Sequence, residues 1–413
     1  MLNNRDGSVP EPVEEERTSR RLRTQGVAAR KAIPRRDLLK RAGTGMAAGL
    51  FSAALGKGLA AESRRGSHEA DGGSAPERAS GKTPISLIID DGGPVDAMYY
   101  MHPGYETPLV VPLDFCNRVA DTMERFGLRG KLTILPMPSC LGRIDQSLKL
   151  VSKEHLEGFL KVVRERIAPR FDTTPEYLTH LNAYNRRSGD YQHIYEDEWI
   201  SRAPIEEVVE YFTLAFSIHK NVGLDSTGIT SPWVAGVDVE EKYAQALSEA
   251  QWQVFGRKLT WYFLYGSDWG PPLRCSVTYE SPGRDRVVVS VPANFPDVFW
   301  STDLPRDQRQ QLIKDNIDRV VSADGRTGRV RQLMESGYPV ILLTHWQSLY
   351  TQGTELALEG LNTLMERIQK VFGNSLEWVS CSERAGRYVT AMNATSSRTA
   401  SSTNCIIRDC KTR

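Results

Sequence analysis

The chain has 413 residues, of which 40% are hydrophobic and 25% charged, the make-up of a globular protein rather than of a fibrous, low-complexity or multispanning membrane chain. Its 52 lysines and arginines against 51 acidic residues leave a net charge of +1, which excludes a general electrostatic attraction to nucleic acid or to anionic lipid. That length holds two average domains, or one large barrel with dispensable ends.

Residues 1–33 are charged, poor in aromatics and without apolar period, the composition of a disordered n-region. Pro34-Arg35-Arg36-Asp37-Leu38-Leu39-Lys40 then places an Arg pair ahead of apolar residues and a Lys, followed by the mild apolar run from Ala42 to Ala61. This order predicts a twin-arginine signal over 34–61, with Leu59-Ala60-Ala61 as cleavage site. Gly43, Gly45, Gly49, Gly56, Gly58 and Lys57 make the run too weak for a stable membrane span. The destination is then the periplasm or the exterior. Residues 62–83 read as a linker, 84–390 as the folded body, and the Ser/Thr/Asn-rich 391–413 as a flexible tail.

Along the body, Ile85–Ile89 is a β-branched run suited to a strand buried on both faces. Leu113, Cys116, Val119, Ala120, Met123 and Phe126 recur at helical spacing, and Gly127 stops that helix. Lys131–Leu135 is the next strand, Leu148–Ile167 a helix and Tyr177–Leu181 a third strand ending near His180. Pro204 opens a helix that Gly223 stops. Ser226–Ser231 follows as a strand, Val239–Ala250 as a helix and Trp252–Phe255 as a strand. Arg286–Val291 is a strand, Asp307–Val321 and Thr327–Glu335 are helices, and Val340–Thr344 is a strand. The helix Thr354–Phe372, the strand Leu376–Val379 and a helix from Ser382 close the pattern. About seven or eight strand–helix alternations predict an α/β fold with a single (β/α) barrel. No Gly-rich phosphate loop favours the doubly wound alternative.

Polar residues follow several of these strands: Asp90-Asp91-Gly92-Gly93, His180, Ser231-Pro232-Trp233, Asn294 and His345-Trp346. In a barrel such ends meet on one face, where active sites form. Each has a structural reading alone: Asp-Asp-Gly-Gly suits a turn, either His suits a satisfied core position, and the tryptophans suit packing. Together they predict one divalent metal ion, zinc by preference, bound by oxygen and imidazole. One Asp binds while its neighbour acts as base, and a histidine protonates the leaving group, as in amide or ester hydrolysis. Lys131, at the start of its strand, is expected toward the opposite face as a solvated charge. Of the six cysteines, Cys116 is expected to be a buried thiol, and Cys405 with Cys410 can close a small loop in the tail.

These motifs resemble the polysaccharide deacetylase (NodB homology) family of the glycoside hydrolase/deacetylase barrel superfamily. Ile88-Ile89-Asp90-Asp91-Gly92 resembles its first motif, Thr179-His180 the start of its second, Ser231-Pro232-Trp233 its third and Leu342-Leu343-Thr344-His345 its last. The resemblance implies Asp90 as catalytic base, Asp91 and His180 as metal ligands, and His345 as the group that assists the leaving group. Trp233, Asn294 and Trp346 are candidates for substrate binding. The sequence departs from the pattern at Tyr184, where a second His is usual, and near Thr230 and Ser231, where an Arg is usual. The third ligand is open among His102, His193, Asn182 and His345, with His102 placed first.

The insertion after His180, with Tyr191, His193, Tyr195 and Trp199, and the segment Trp261–Trp269 supply loop aromatics suited to sugar rings. The function implied is an exported metal-dependent deacetylase acting on an N- or O-acetylated carbohydrate. A hydrolase of a small non-sugar amide, or a metal-free carbohydrate-binding protein on the same barrel, is the alternative. A glycosidase would need a second carboxylate at a strand end, for which only Glu383 offers itself.

Overall fold

The computed structural model describes residues 81–96, 110–302 and 304–394. The predicted signal, most of the linker, the tail from residue 395, His102, Cys405 and Cys410 lie outside the described residues.

The first strand, β1 (Thr83–Gly92), is buried along its whole length, as its apolar run requires. Helix α1 (Leu113–Phe126) buries Phe115, Cys116, Val119, Ala120 and Met123, and Gly127 ends it in the left-handed region. Strand β2 (Gly130–Ile134) follows, then α2 (Lys153–Val162), started by the Ser152 hydroxyl accepting the His155 N–H, and extended by a wider turn over Val163–Ile167. Strand β3 (Phe171–Thr174) ends ahead of Pro175, so Tyr177–His180, expected as strand, is instead a loop. A hairpin of β4 (Asn182–Asn185) and β5 (Asp190–Tyr195) leads to α3 (Glu196–Arg202) and α4 (Ile205–Asn221).

Strand β6 (Gly228–Thr230) precedes α5 (Glu240–Phe255) and β7 (Leu259–Phe263). Trp252–Phe255 is therefore the last turn of a helix, stopped by left-handed Gly256, and not a strand. Strands β8 (Ser276–Glu280) and β9 (Val287–Ser290) are followed by α6 (Arg306–Val320) and α7 (Arg329–Glu335). The chain then runs through β10 (Val340–His345), α8 (Trp346–Tyr350), α9 (Leu356–Phe372), β11 (Leu376–Trp378) and a helix α10 over 381–394.

The architecture is α/β with parallel sheet. One sheet runs β10-β1-β2-β3 with β11 also on β1, all parallel. The other runs β8-β9-β7-β6, parallel except at β8. Isolated parallel bridges join Glu176 to Thr230, beyond β3, and Asp297 to Leu343, beyond β9. Strand alternation sorts the side chains. Ile85, Leu87, Ile89, Leu132 and Ile134 face the helices in the main core. Ile88, Trp261, Phe263, Val289, Ile341 and Leu343 form a second cluster on the other side. Trp261, Tyr262 and Phe263 are thus buried strand residues, not loop aromatics. No helix among the described residues is long and apolar enough to cross a membrane.

Candidate metal centre

Adjacent strand residues point to opposite faces, so two neighbouring aspartates can serve one site only if the strand is distorted between them. It is. Ile89 pairs with Leu132 and Gly92 with Ile134, so Asp90 and Asp91 together oppose Thr133 in a bulge. Asp91 takes φ +60°, a left-handed conformation that Asp tolerates better than most residues. Gly92 then has to be glycine, because a Cβ there would lie 2.2 Å from the Thr133 carbonyl oxygen. The bulge aims Asp90 at Thr133 and Asp91 at His180 and Gln347.

His180 stands in the loop after β3, at φ +59°. A single buried carboxylate holds that loop. Glu196 Oε1 accepts the Leu178 N–H at 2.9 Å, the Thr179 N–H at 3.0 Å and the Tyr211 hydroxyl at 2.7 Å, while Oε2 accepts the His180 N–H at 2.9 Å. Burial pushes the Glu196 carboxyl up to about 7 against these bonds. His180 Nε2 lies 3.1 Å from Asp91 Oδ1 and 3.4 Å from Glu176 Oε1. Glu176 also accepts the Asp91 backbone N–H at 3.3 Å.

Asp91, Glu176 and His180 are all buried, and one ligand atom of each lies within 4.8 Å of the others. Glu176 was not among the expected ligands. It sits four residues before His180, just after β3, and the misplaced third strand put it on the wrong side of a strand start. Tyr184, by contrast, packs on Tyr191 at 5.5 Å between ring centroids.

The donors fit a divalent cation on three grounds. They are two oxygens and an imidazole nitrogen, a set suited to a hard or borderline ion. Asp91 Oδ1 is buried and, despite its distance from His180, lacks hydrogen-bond geometry to any partner, and His180 Nδ1 is buried without a partner too. Burial and the neighbouring Asp91 and Asp90 carboxylates push the Glu176 carboxyl well above its usual range, a strain that positive charge relieves. Asp91 goes the other way: burial raises its carboxyl, but His180, His345 and Gln347 together hold it well below the usual range.

His345 ends β10, and its Cα is the register partner of Asp90. Its Nδ1 lies 2.7 Å from Asp297 Oδ2, which also accepts the His345 backbone N–H at 3.1 Å and the Ser348 hydroxyl at 2.6 Å. Burial lowers the basicity of the ring, but the Asp297 hydrogen bond and charge, with Asp91 and Asp90 beyond, raise it to about 9. Trp300 meets His345 edge-on at 5.4 Å, as Trp233 meets His180 at 4.6 Å. Asp297 and Gln347 were missed in the sequence because each stands two or three residues beyond a position already chosen, Asn294 and His345.

Other expected residues are placed differently. Lys131 is not a solvated charge on the far face: it is fully buried, and its ammonium binds Asp90. It is the second residue of β2, but alternation turns it to the same side as Thr133, and its long side chain runs along the strands toward Asp90. Trp346 is core, edge-on to Phe115 at 4.9 Å and Phe159 at 6.3 Å, and does not face a substrate. Asn294 is buried too, spending its amide on Leu273 and Pro339. His193 is exposed on β5, and Asn182 donates to the Gln192 carbonyl, so neither joins the cluster. Trp199 is buried and stacked on Tyr211 at 4.2 Å, whereas Tyr195 is 53% exposed and lies 5.6 Å from Trp233. Cys116 is a buried thiol outside any disulfide, as expected, and Cys140, Cys275 and Cys381 form no disulfide among the described residues either.

Among solved structures, the chain is similar to a protein from Mycobacterium smegmatis described as a polysaccharide deacetylase, at 11% identity and TM-score 0.46, covering 78% of this chain and 96% of that one. It is similar to the chitin deacetylase of the fungal pathogen Colletotrichum lindemuthianum, at 9% identity and TM-score 0.37, covering 75% and 89%. A family 4 carbohydrate esterase from Streptomyces lividans matches at 9% identity and TM-score 0.33, covering 71% and 90%. No family model matches the sequence, and no curated protein matches it.

Proposed function

We propose that this chain is a metal-dependent hydrolase, a divergent polysaccharide deacetylase that removes acetyl groups from an N- or O-acetylated carbohydrate. The observation that carries the reading is the buried convergence of Asp91, Glu176 and His180, beside a second aspartate and a histidine on adjoining strands. In this reading Asp91, Glu176 and His180 hold one divalent ion, zinc by preference, with Glu176 as the third ligand. When bound, such an ion polarises a carbonyl oxygen and makes a water more acidic.

The chain's own groups do the rest. Asp90 accepts the proton of the attacking water. His345, protonated below about 9 and oriented through Nδ1 by Asp297, presents its other ring N–H to the departing oxygen or nitrogen. Trp233, half-buried against His180, and exposed Tyr195 give an aromatic edge on which a sugar ring can stack. We also read the two main sheets as one ring of strands, joined through the Glu176–Thr230 and Asp297–Leu343 bridges. The body spans 84–390, and residues 34–61 direct export through the twin-arginine pathway.

Bound metal per chain tests the reading first. Wild type is expected to carry close to one equivalent of zinc, and Glu176→Ala and His180→Ala to lose it. Wild type is further expected to release acetate from acetylated xylan or from N-acetylglucosamine oligomers. Absence of metal after reconstitution with zinc would sink the mechanism and move the assignment to a carbohydrate-binding protein.

A further inference from the structure

Lys131 is fully buried, and the reaction described above gives it no step. We propose that Lys131 is a positioning residue: its ammonium ties one oxygen of Asp90 to a cluster of threonine hydroxyls, keeping that carboxylate directed at the reacting water and out of the metal's ligand set. The proposal rests on the metal-hydrolase reading.

The geometry around Nζ is complete. An ammonium has three donors, and here they find three acceptors: Asp90 Oδ1, Thr133 Oγ1 at 2.9 Å and Thr230 Oγ1. Thr133 Oγ1 also lies 3.1 Å from Asp90 Oδ1 and 3.1 Å from Thr230 Oγ1, and Thr174 Oγ1 lies 3.0 Å from Thr230 Oγ1. Four strands, β1, β2, β3 and β6, thus each supply a member of one hydrogen-bonded cluster. The Phe263 ring, 4.8 Å from Nζ, covers the ammonium.

Packing alone does not explain this arrangement. Removing two charges from water costs more than their attraction returns unless the surroundings compensate, and an apolar pair of similar size packs as well or better. The same face already carries Ile88, Trp261, Val289 and Ile341, so apolar residues are accommodated there. The pair's location says what it serves. Asp90 is next to the ligand Asp91 and opposite His345 in the register. Lys131 and Thr133 both engage Oδ1, so Oδ2 is not taken up by either. Without the ammonium, a carboxylate one residue from Asp91 is held by one hydroxyl and becomes a competing donor for the cation.

A structural role and a positioning role separate in one experiment on the full-length protein. Zinc affinity is measured by competition with a chelator, and turnover with 4-nitrophenyl acetate and N-acetylglucosamine oligomers. Lys131→Met is expected to lower kcat by about 100-fold or more, with KM little changed and zinc bound as tightly as in wild type or more tightly. If zinc affinity and kcat fall together, Lys131 merely supports the fold and the proposal is overturned; unchanged kcat overturns it equally. Should Lys131→Met fail to fold, Thr230→Val removes one acceptor of the ammonium. It is expected to lower kcat by roughly 10-fold with zinc retained, and an unchanged kcat again decides against the proposal. A wild type that binds zinc but hydrolyses neither probe refutes the deacetylase reading and with it the role of Lys131. Wild-type turnover that survives in Lys131→Met refutes the role of Lys131 alone.

Discussion

Among the buried histidines, His219 spends both ring nitrogens on the protein, Nδ1 on the Ser226 hydroxyl at 2.7 Å and Nε2 on the Ile134 carbonyl at 2.8 Å. Burial drives its basicity down to about 4, so it is a neutral core residue. His180 is equally buried but leaves Nδ1 without a partner and turns Nε2 to two carboxylates. His345, only half-buried, is a third kind, held by Asp297 and raised to about 9. Because its folded-state value exceeds the ordinary 6.5, the His345–Asp297 pair contributes stability fully below about 6.5 and loses it as pH rises through about 9. Turnover that needs the protonated ring should fall over the same alkaline range. Asp297→Asn should lower kcat by about 100-fold or more and move the alkaline limb of the pH–rate profile to lower pH. A profile with its limb in the wild-type place would show that another group titrates there.

Elements decide how those residues meet. The β1 bulge brings two sequence neighbours into one site, and the loop 177–180 carries His180 to them from beyond β3. That loop is fixed by Glu196, the first residue of α3, whose two oxygens bind three successive backbone N–H groups and Tyr211. Glu196→Ala leaves those buried donors unpaired, each costing about 1–3 kcal/mol, and frees His180 from its left-handed conformation. Zinc affinity should fall by about 10–100-fold in that variant, with turnover recovering as zinc is added in excess. Activity lost at saturating zinc would instead indicate general unfolding. The sequence pointed to β1, α1, β2, α4 and β10 because their apolar periods and stop residues are local. It misplaced β3, since Tyr177-Leu178-Thr179 is as apolar and β-branched as a strand yet follows Pro175, and it read the end of α5 as strand because Trp252, Val254 and Phe255 favour both states.

At the scale of the molecule, β1 lies inside its sheet, with β10 on one side and β2 and, further back along the strand, β11 on the other, so the body cannot lose it and stay folded. A chain restricted to residues 82–394 keeps every described strand and is expected to show the unfolding midpoint and zinc content of the full-length protein, by calorimetry and metal analysis. A lowered midpoint would assign a structural role to residues outside that span. The α/β alternation and the Asp90–Asp91 and His345 positions were legible in the sequence, because strand periodicity and the residues that close a strand are written within a few positions. That Glu176 joins Asp91 and His180, that Asp297 holds His345, and that Lys131 turns inward to Asp90 emerged with the folded chain. Those are contacts between separate strands and loops, with partners from 4 to 85 positions apart, and they depend on sheet register and on which face each residue takes. A bulge or a shift of one residue reverses that face without changing the local pattern.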